Sequence, residues 1–224
     1  MVEGTGRTAG SAPDRWALRG ASVFDGETWA TRDVVVDGSS IAGSSVADEA
    51  GVRSAPAVDG SGLRVAPGWI DLQCNGGMGI DLASDPGRLW DLGALLPRWG
   101  VTAWLPTIVS AAADGAIDEA LRVLAAGPPV GWVGAIPLGL HLEGPFLAPA
   151  RRGAHPVSRL RAASGALAAG WSRDGGVAVV TLAPELPGAV ELIGELVGRG
   201  VVVSLGHSEA DEAAALAAVD AGAG

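Results

Sequence analysis

The stretch Gly139-Leu140-His141-Leu142-Glu143-Gly144-Pro145 runs from apolar residues into a histidine and a carboxylate two positions apart, before glycine and proline stop it. Side chains alternate along a strand, so His141 and Glu143 share one side of this one. Their leucine neighbours mark a strand covered on both faces. The polar pair falls where strand becomes loop, and in a parallel barrel that end carries the chemistry.

Outward from this stretch the chain repeats strand, loop, helix. Trp69 to Cys74, Val101 to Thr107, Gly134 to Glu143, Val177 to Leu182 and Val201 to Leu205 read as buried strands. Asp85-Pro86 reads as the cap and first turn of a helix running to Trp99, which Gly100 ends. Further helices are expected over Asp114 to Ala126, Arg159 to Ala169, Glu185 to Val197 and Glu209 to Ala221. Such alternation predicts a parallel sheet or barrel. Ahead of it, Ala17 to Phe24, Thr28 to Val36 and short runs near Ile41 and Leu63 to Val65 are strand candidates, with hairpin turns at Asp25-Gly26 and Asp37-Gly38. The expected organisation is a disordered tail over 1–14, a small β portion over 15–64, and a β/α region over 65–224. A βαβ unit takes roughly 30 residues and an eight-unit barrel about 250. The β/α region therefore has room for five units, either an open five-stranded sheet or the front part of a barrel.

Composition narrows the function. A formal charge of −10 argues against a nucleic-acid groove or an anionic membrane as partner, and favours small molecules. The most hydrophobic segment, Val130 to Leu140, is too short and too broken by glycine to span a bilayer. Cys74 stands alone, so no internal disulfide forms, and the expected location is the cytoplasm. The chain has neither lysine nor tyrosine, which removes Schiff-base chemistry, a Walker A loop, a modified-lysine metal bridge and phenolic acid or base roles.

Three histidines remain as candidates. His207 follows Val201-Val202-Val203-Ser204-Leu205-Gly206, at the carboxyl end of a strand, and Glu143 ends a strand two units earlier. Strand ends converge on one mouth in a barrel, and a carboxylate with an imidazole suits zinc or another divalent ion. Catalytic zinc takes three protein ligands. The third donor is then His141, His155, a side chain on the first strand, or a group outside this chain. Gln73 and Asn75 on that first strand are weak ligands, better suited to lining the site or positioning water. Asp71 shares the side of Gln73 and is a candidate anchor for a metal-facing group. Cys74 points the other way, into packing.

Taken in order, Pro67 to Asn75, His141 to Pro145, Arg152-Gly153-Ala154-His155, Thr181 to Glu185 and Gly206-His207-Ser208 resemble the N-acetylglucosamine-6-phosphate deacetylase family of the amidohydrolase superfamily. The resemblance covers nearly everything after the first residues, and implies a metal-bearing (β/α)8 barrel with a small β-sandwich. Of these the chain holds the first five βα units. The implied reaction removes acetate from N-acetylglucosamine 6-phosphate in amino-sugar catabolism. The resemblance makes Glu143 and His207 metal ligands, and lets His155 with the backbone at Ala154 meet the substrate. His155 is then the group that helps polarise the acetamide carbonyl. Amides at Gln73 and Asn75 imply a single divalent ion, zinc first, with iron or another divalent metal as alternatives, and a homodimer is expected of full-length proteins. The family's further histidine ligand, in a Thr-His-Leu-x-Asn-Ala-Met segment, and its acid/base aspartate have no counterpart here. The expectation is a partial chain, inactive or nearly so alone. Two other readings stay open: another amidohydrolase acting on a cyclic amide or nucleobase, and a non-catalytic fragment completed by a second polypeptide.

Overall fold

The computed structural model describes residues 15–41, 55–110, 112 and 114–224. The tail expected over 1–14 lies outside them. The chain forms two compact units, Met1–Pro67 and Gly68–Gly224.

The first unit is a sheet built around β1 (Arg15–Phe24). It pairs antiparallel with β2 (Trp29–Asp37), which pairs antiparallel with β3 (Ser40–Ile41). On its other side β1 pairs in parallel with β4 (Ala57–Asp59) and β5 (Arg64–Val65). The turn after β1 is set by Asp25, whose carboxylate accepts the N–H groups of Glu27 and Thr28 and pairs with Arg32 at 2.8 Å. Those backbone donors, with the arginine, hold the Asp25 carboxyl down at about 2. β4 was not anticipated, because its three residues carry no period long enough to read.

In the second unit β6 (Trp69–Cys74) is followed by a small hairpin of β7 (Gly76–Gly77) and β8 (Ile80–Asp81). Next come β9 (Val101–Val109), β10 (Ile136–Pro137), β11 (Leu140–Glu143), β12 (Val177–Leu182) and β13 (Val202–Leu205). Every pairing among β6 and β9 to β13 is parallel. β10 and β11 both pair with β9, on the side away from β6, so the order across the sheet is β6, β9, β10 with β11, β12, β13. This is the front of a (β/α) barrel with five strand places filled.

The helices are α1 (Leu89–Leu95), α2 (Ala116–Ala126), α3 (Ala189–Gly198) and α4 (Glu212–Asp220). In α3, Leu192, Ile193 and Leu196 lie on one face and are buried together with Leu142, Val180 and Val203 of the strands. Each such side chain contributes roughly 1.5–3 kcal/mol by leaving water. Asp211 caps α4, its carboxylate accepting the Ala214 N–H at 2.8 Å. No helix among the described residues is long and apolar enough to cross a membrane.

Several expected elements differ. The strand expected over Gly134 to Glu143 breaks in two, because Pro137 has no N–H to give and Gly139 sits at φ +117, where a Cβ would come within 2.9 Å of Ala178. Asp85 makes no side-chain cap. Pro86–Arg88 forms a single 3-10 turn instead, and α1 starts at Leu89. Arg159 to Ala169 is not a helix: after a 3-10 turn at Val157–Arg159, Leu160 turns extended, and the segment runs as coil and turns. Tertiary bonds outweigh its alanine-rich propensity. Arg161 donates its N–H to the Pro145 carbonyl at 3.0 Å, and Arg199 captures the Ala168 carbonyl at 2.7 Å. α3 begins at Ala189 rather than Glu185, behind Gly188 at φ +78, which leaves the Glu185 side chain free for another task.

Candidate metal centre

Glu143 and His207 lie at the carboxyl ends of β11 and β13, with β12 between them in the sheet. The alternation of β11 turns His141 and Glu143 the same way, His141 one layer deeper. Glu143 Oε1 stands 3.0 Å from His207 Nε2, and Glu143 Oε2 stands 3.9 Å from His155 Nε2. One ligand atom each from Glu143, His155 and His207 falls within 4.8 Å of the others. The two rings meet edge on, centroids 4.7 Å apart. A cavity of about 300 Å³ opens over them, lined by Asn75, Val109, Glu143, Ala154, His155 and His207.

The loops that deliver these groups are tied down. His155 comes from the long loop after β11, where Ala148 donates its N–H to the His207 carbonyl at 2.9 Å. His207 sits at φ +53, a left-handed conformation uncommon for a residue with a Cβ. The next two residues hold that turn: Ser208 Oγ and the Glu209 N–H both donate to the Glu185 carboxylate, each at 2.6 Å. Desolvation of Glu185 opposes ionisation, but these bonds outweigh it and hold the carboxyl below its ordinary range. Glu185 therefore positions the loop that carries His207 from the neighbouring strand end.

Hydrogen-bond chemistry sorts the three histidines. The Thr107 hydroxyl donates to the Leu105 carbonyl at 3.1 Å, so its oxygen accepts from His141 Nδ1 at 3.4 Å. His141 Nε2 then accepts from Thr181 Oγ1 at 2.8 Å. Both ring nitrogens are engaged inside the sheet, and burial pushes this imidazole below its usual value although Glu143 attracts a proton to it. His141 is a buried strut rather than the third donor. His207 Nδ1 faces the carbonyl oxygen of Arg151 at 2.9 Å. A carbonyl only accepts, so Nδ1 carries a hydrogen and Nε2 is the nitrogen turned to Glu143. Facing a carboxylate at 3.0 Å in a nearly buried site, Nε2 needs positive charge between the two groups, either a second ring proton or a metal cation in its place. Tetrahedral zinc at its usual bond lengths separates its ligands by about 3.3 Å, close to the spacing seen here. The residues fit a divalent ion.

Other expected participants are placed differently. Asn75 lines the cavity, whereas Gln73 is exposed and outside its lining. The Asp71 carboxylate accepts the N–H of Gln73 at 3.0 Å, on its own strand, where the register with β9 is irregular, rather than anchoring a metal-facing group. Cys74 is buried in the core, and burial, then the nearby Asp71 charge, push its thiol up. Two residues escaped sequence reasoning. Glu185 reads as the start of a helix, and Ser110 lies just past the expected end of its strand. The strand-end rule that selected Glu143 would have reached Ser110 had β9 been drawn to its observed length.

Comparison with known proteins gives a consistent outcome. No family model matches the chain. Human N-acetylglucosamine-6-phosphate deacetylase is 42% identical over 175 residues, which cover 74% of this chain and 42% of that protein. The crystal structure of N-acetylglucosamine-6-phosphate deacetylase from Pasteurella multocida superposes with a TM-score of 0.78 at 27% identity, covering 93% of this chain and 55% of that one. A substituted Mycobacterium smegmatis enzyme, in complex with N-acetyl-D-glucosamine-6-phosphate, gives 0.73 at 27% identity, covering 94% and 54%. The chain thus spans about half the length of the relatives it matches. At this identity and superposition, the chain is similar to a part of N-acetylglucosamine-6-phosphate deacetylases.

Proposed function

We propose that this chain supplies the metal-holding and carbonyl-polarising side of a hydrolase that removes acetate from N-acetylglucosamine 6-phosphate, leaving glucosamine 6-phosphate. The observation that carries this reading is the convergence of Glu143, His155 and His207 at the sheet's carboxyl edge in a chain similar to these deacetylases. Glu143 and His207 would hold a divalent ion, zinc first given the mixed carboxylate and imidazole donors, and the ion would supply Lewis acidity toward the acetamide and toward water.

The chain's own residues do the rest. His155 Nε2 donates a hydrogen bond to the acetamide oxygen and stabilises negative charge as it grows there. Burial keeps this ring neutral, against the pull of Glu143 and with the help of repulsion from His207, so it donates without carrying charge. The backbone at Ala154 and the amide of Asn75 border the same cavity and orient the sugar amide. Glu143 is the sole carboxylate among the lining residues. A carboxylate committed to an ion is not free to shuttle the proton to the leaving amine, so the chain alone is expected to bind metal weakly and to turn over negligibly. The single, buried Cys74 agrees with a cytoplasmic setting.

The test joins equilibrium dialysis against zinc with acetate release from N-acetylglucosamine 6-phosphate. Zinc retention that disappears in His207→Ala, with acetate release at the blank level, is expected. Equal retention by the wild type and H207A would overturn the metal assignment. Acetate release by the wild-type chain would overturn the claim that the proton shuttle lies elsewhere.

A further inference from the structure

Ser110, the residue directly after β9, touches two members of the site at once. Its backbone N–H donates to the Glu143 carbonyl at 3.1 Å, and its hydroxyl oxygen lies 2.5 Å from His155 Nδ1. The first contact joins the ends of two adjacent strands. The second makes a hydroxyl the partner of the ring nitrogen that faces away from the mouth.

A hydroxyl donates or accepts, so Ser110 by itself leaves the ring's tautomer open. The surroundings of the other nitrogen decide it. His155 Nε2 faces Glu143 Oε2 at 3.9 Å, and a carboxylate oxygen only accepts. A bare Nε2 there would set an electron pair against it, whereas an N–H satisfies it. The hydrogen of His155 therefore sits on Nε2, and Nδ1 accepts the hydroxyl proton of Ser110.

We propose that Ser110 is a positioning residue that holds His155 as the Nε2–H tautomer, so that the two histidines of the mouth present opposite faces: His207 a lone pair for an ion, His155 an N–H for the substrate's carbonyl oxygen. The meaning of that N–H rests on the deacetylase reading. The tautomer itself does not. Ser110 thereby separates ligand from hydrogen-bond donor in a cluster whose three groups are spaced closely enough to chelate together.

The test is long-range proton–nitrogen NMR of the imidazole rings in the uniformly nitrogen-labelled chain, with chelator and with zinc, because bare and protonated ring nitrogens resonate far apart. The wild type is expected to show His155 protonated at Nε2 and bare at Nδ1 under both conditions, and His207, with zinc, the reverse. Ser110→Ala keeps the backbone bond to Glu143 and removes only the hydroxyl. Its His155 signals should lose their separation as the ring exchanges between tautomers, while S110T, which retains a hydroxyl, restores the wild-type pattern. Thermal unfolding identifies a variant that has failed to fold, and S110T then carries the test. A His155 protonated at Nδ1, or one that loses its Nε2 hydrogen when zinc is added, overturns the proposal by making His155 a ligand. Loss of zinc retention with the Nε2–H pattern intact would instead defeat the hydrolase reading and leave the tautomer assignment standing.

Discussion

Replacing Glu143 with glutamine changes one oxygen to an NH2 group in a side chain only 9% exposed, and is expected to abolish the response to metal while changing the metal-free stability little. In chelator, the wild-type carboxylate and His207 Nε2, 3.0 Å apart, share a proton. Glutamine offers a donor in the same place to a neutral ring. One hydrogen bond is exchanged for another, a change of about 1 kcal/mol or less. At roughly 2–4 °C per kcal/mol for a chain of this size, the variant should melt within about 4 °C of the wild type in chelator. With free zinc about 100 times above Kd, the wild type gains about 2.7 kcal/mol, or roughly 5–11 °C, while the weakly ligating amide gains little. Thermal unfolding followed by circular dichroism, in chelator and then in zinc, reads both effects. A Glu143→Gln variant that melts more than about 4 °C from the wild type in chelator would refute the exchange of one hydrogen bond for another. Equal zinc shifts in both proteins would refute the ligand assignment.

Two further outcomes follow from the same geometry. Burial lowers the proton affinity of His141 in the folded chain, so the unfolded chain takes up its proton first as pH drops; its contribution to stability is complete above the ordinary value of 6.5 and is lost below it. Urea midpoints measured in chelator should fall between about pH 7.5 and about pH 5.5, with a shallower fall in His141→Gln; an identical slope in that variant would show that the ring is not the group responsible. Phe146 is fully buried against Trp171, ring centroids 5.7 Å apart, so Phe146→Ala should cost about 3–5 kcal/mol in urea denaturation, and a cost under about 1 kcal/mol would mean that the loop after β11 is not part of the core.

Much of this was legible in the residues. The alternation of apolar runs with amphipathic ones located five strand places and most of the helices, because burial on both faces writes itself as continuous Val, Ile and Leu. Glu143 and His207 were legible for a different reason: polar groups at the ends of buried strands have few structural uses, and a parallel sheet brings them to one edge. What escaped notice depends on contacts remote in sequence. The alanine-rich run after Arg159 has helical propensity, yet Arg199 takes one of its carbonyls from 31 residues away. Glu185 holds the His207 loop across 23 positions, and Ser110 reaches His155 across 45. No local pattern encodes such pairs. The tautomers of the three histidines likewise depend on partners that only the folded chain assembles.

The left-handed backbone at His207 narrows what this position can become. Of the side chains able to bind a metal, only histidine and aspartate settle readily at a positive φ, with asparagine a poor substitute as a ligand; glutamate and cysteine meet a steric barrier before their donor atoms come into play. Attempts to retune the proposed centre toward softer or harder ions by exchanging this residue will therefore run into the main chain first. The remaining freedom lies at Glu143, in an ordinary strand, and in the Glu185 contacts that decide how firmly the turn is held.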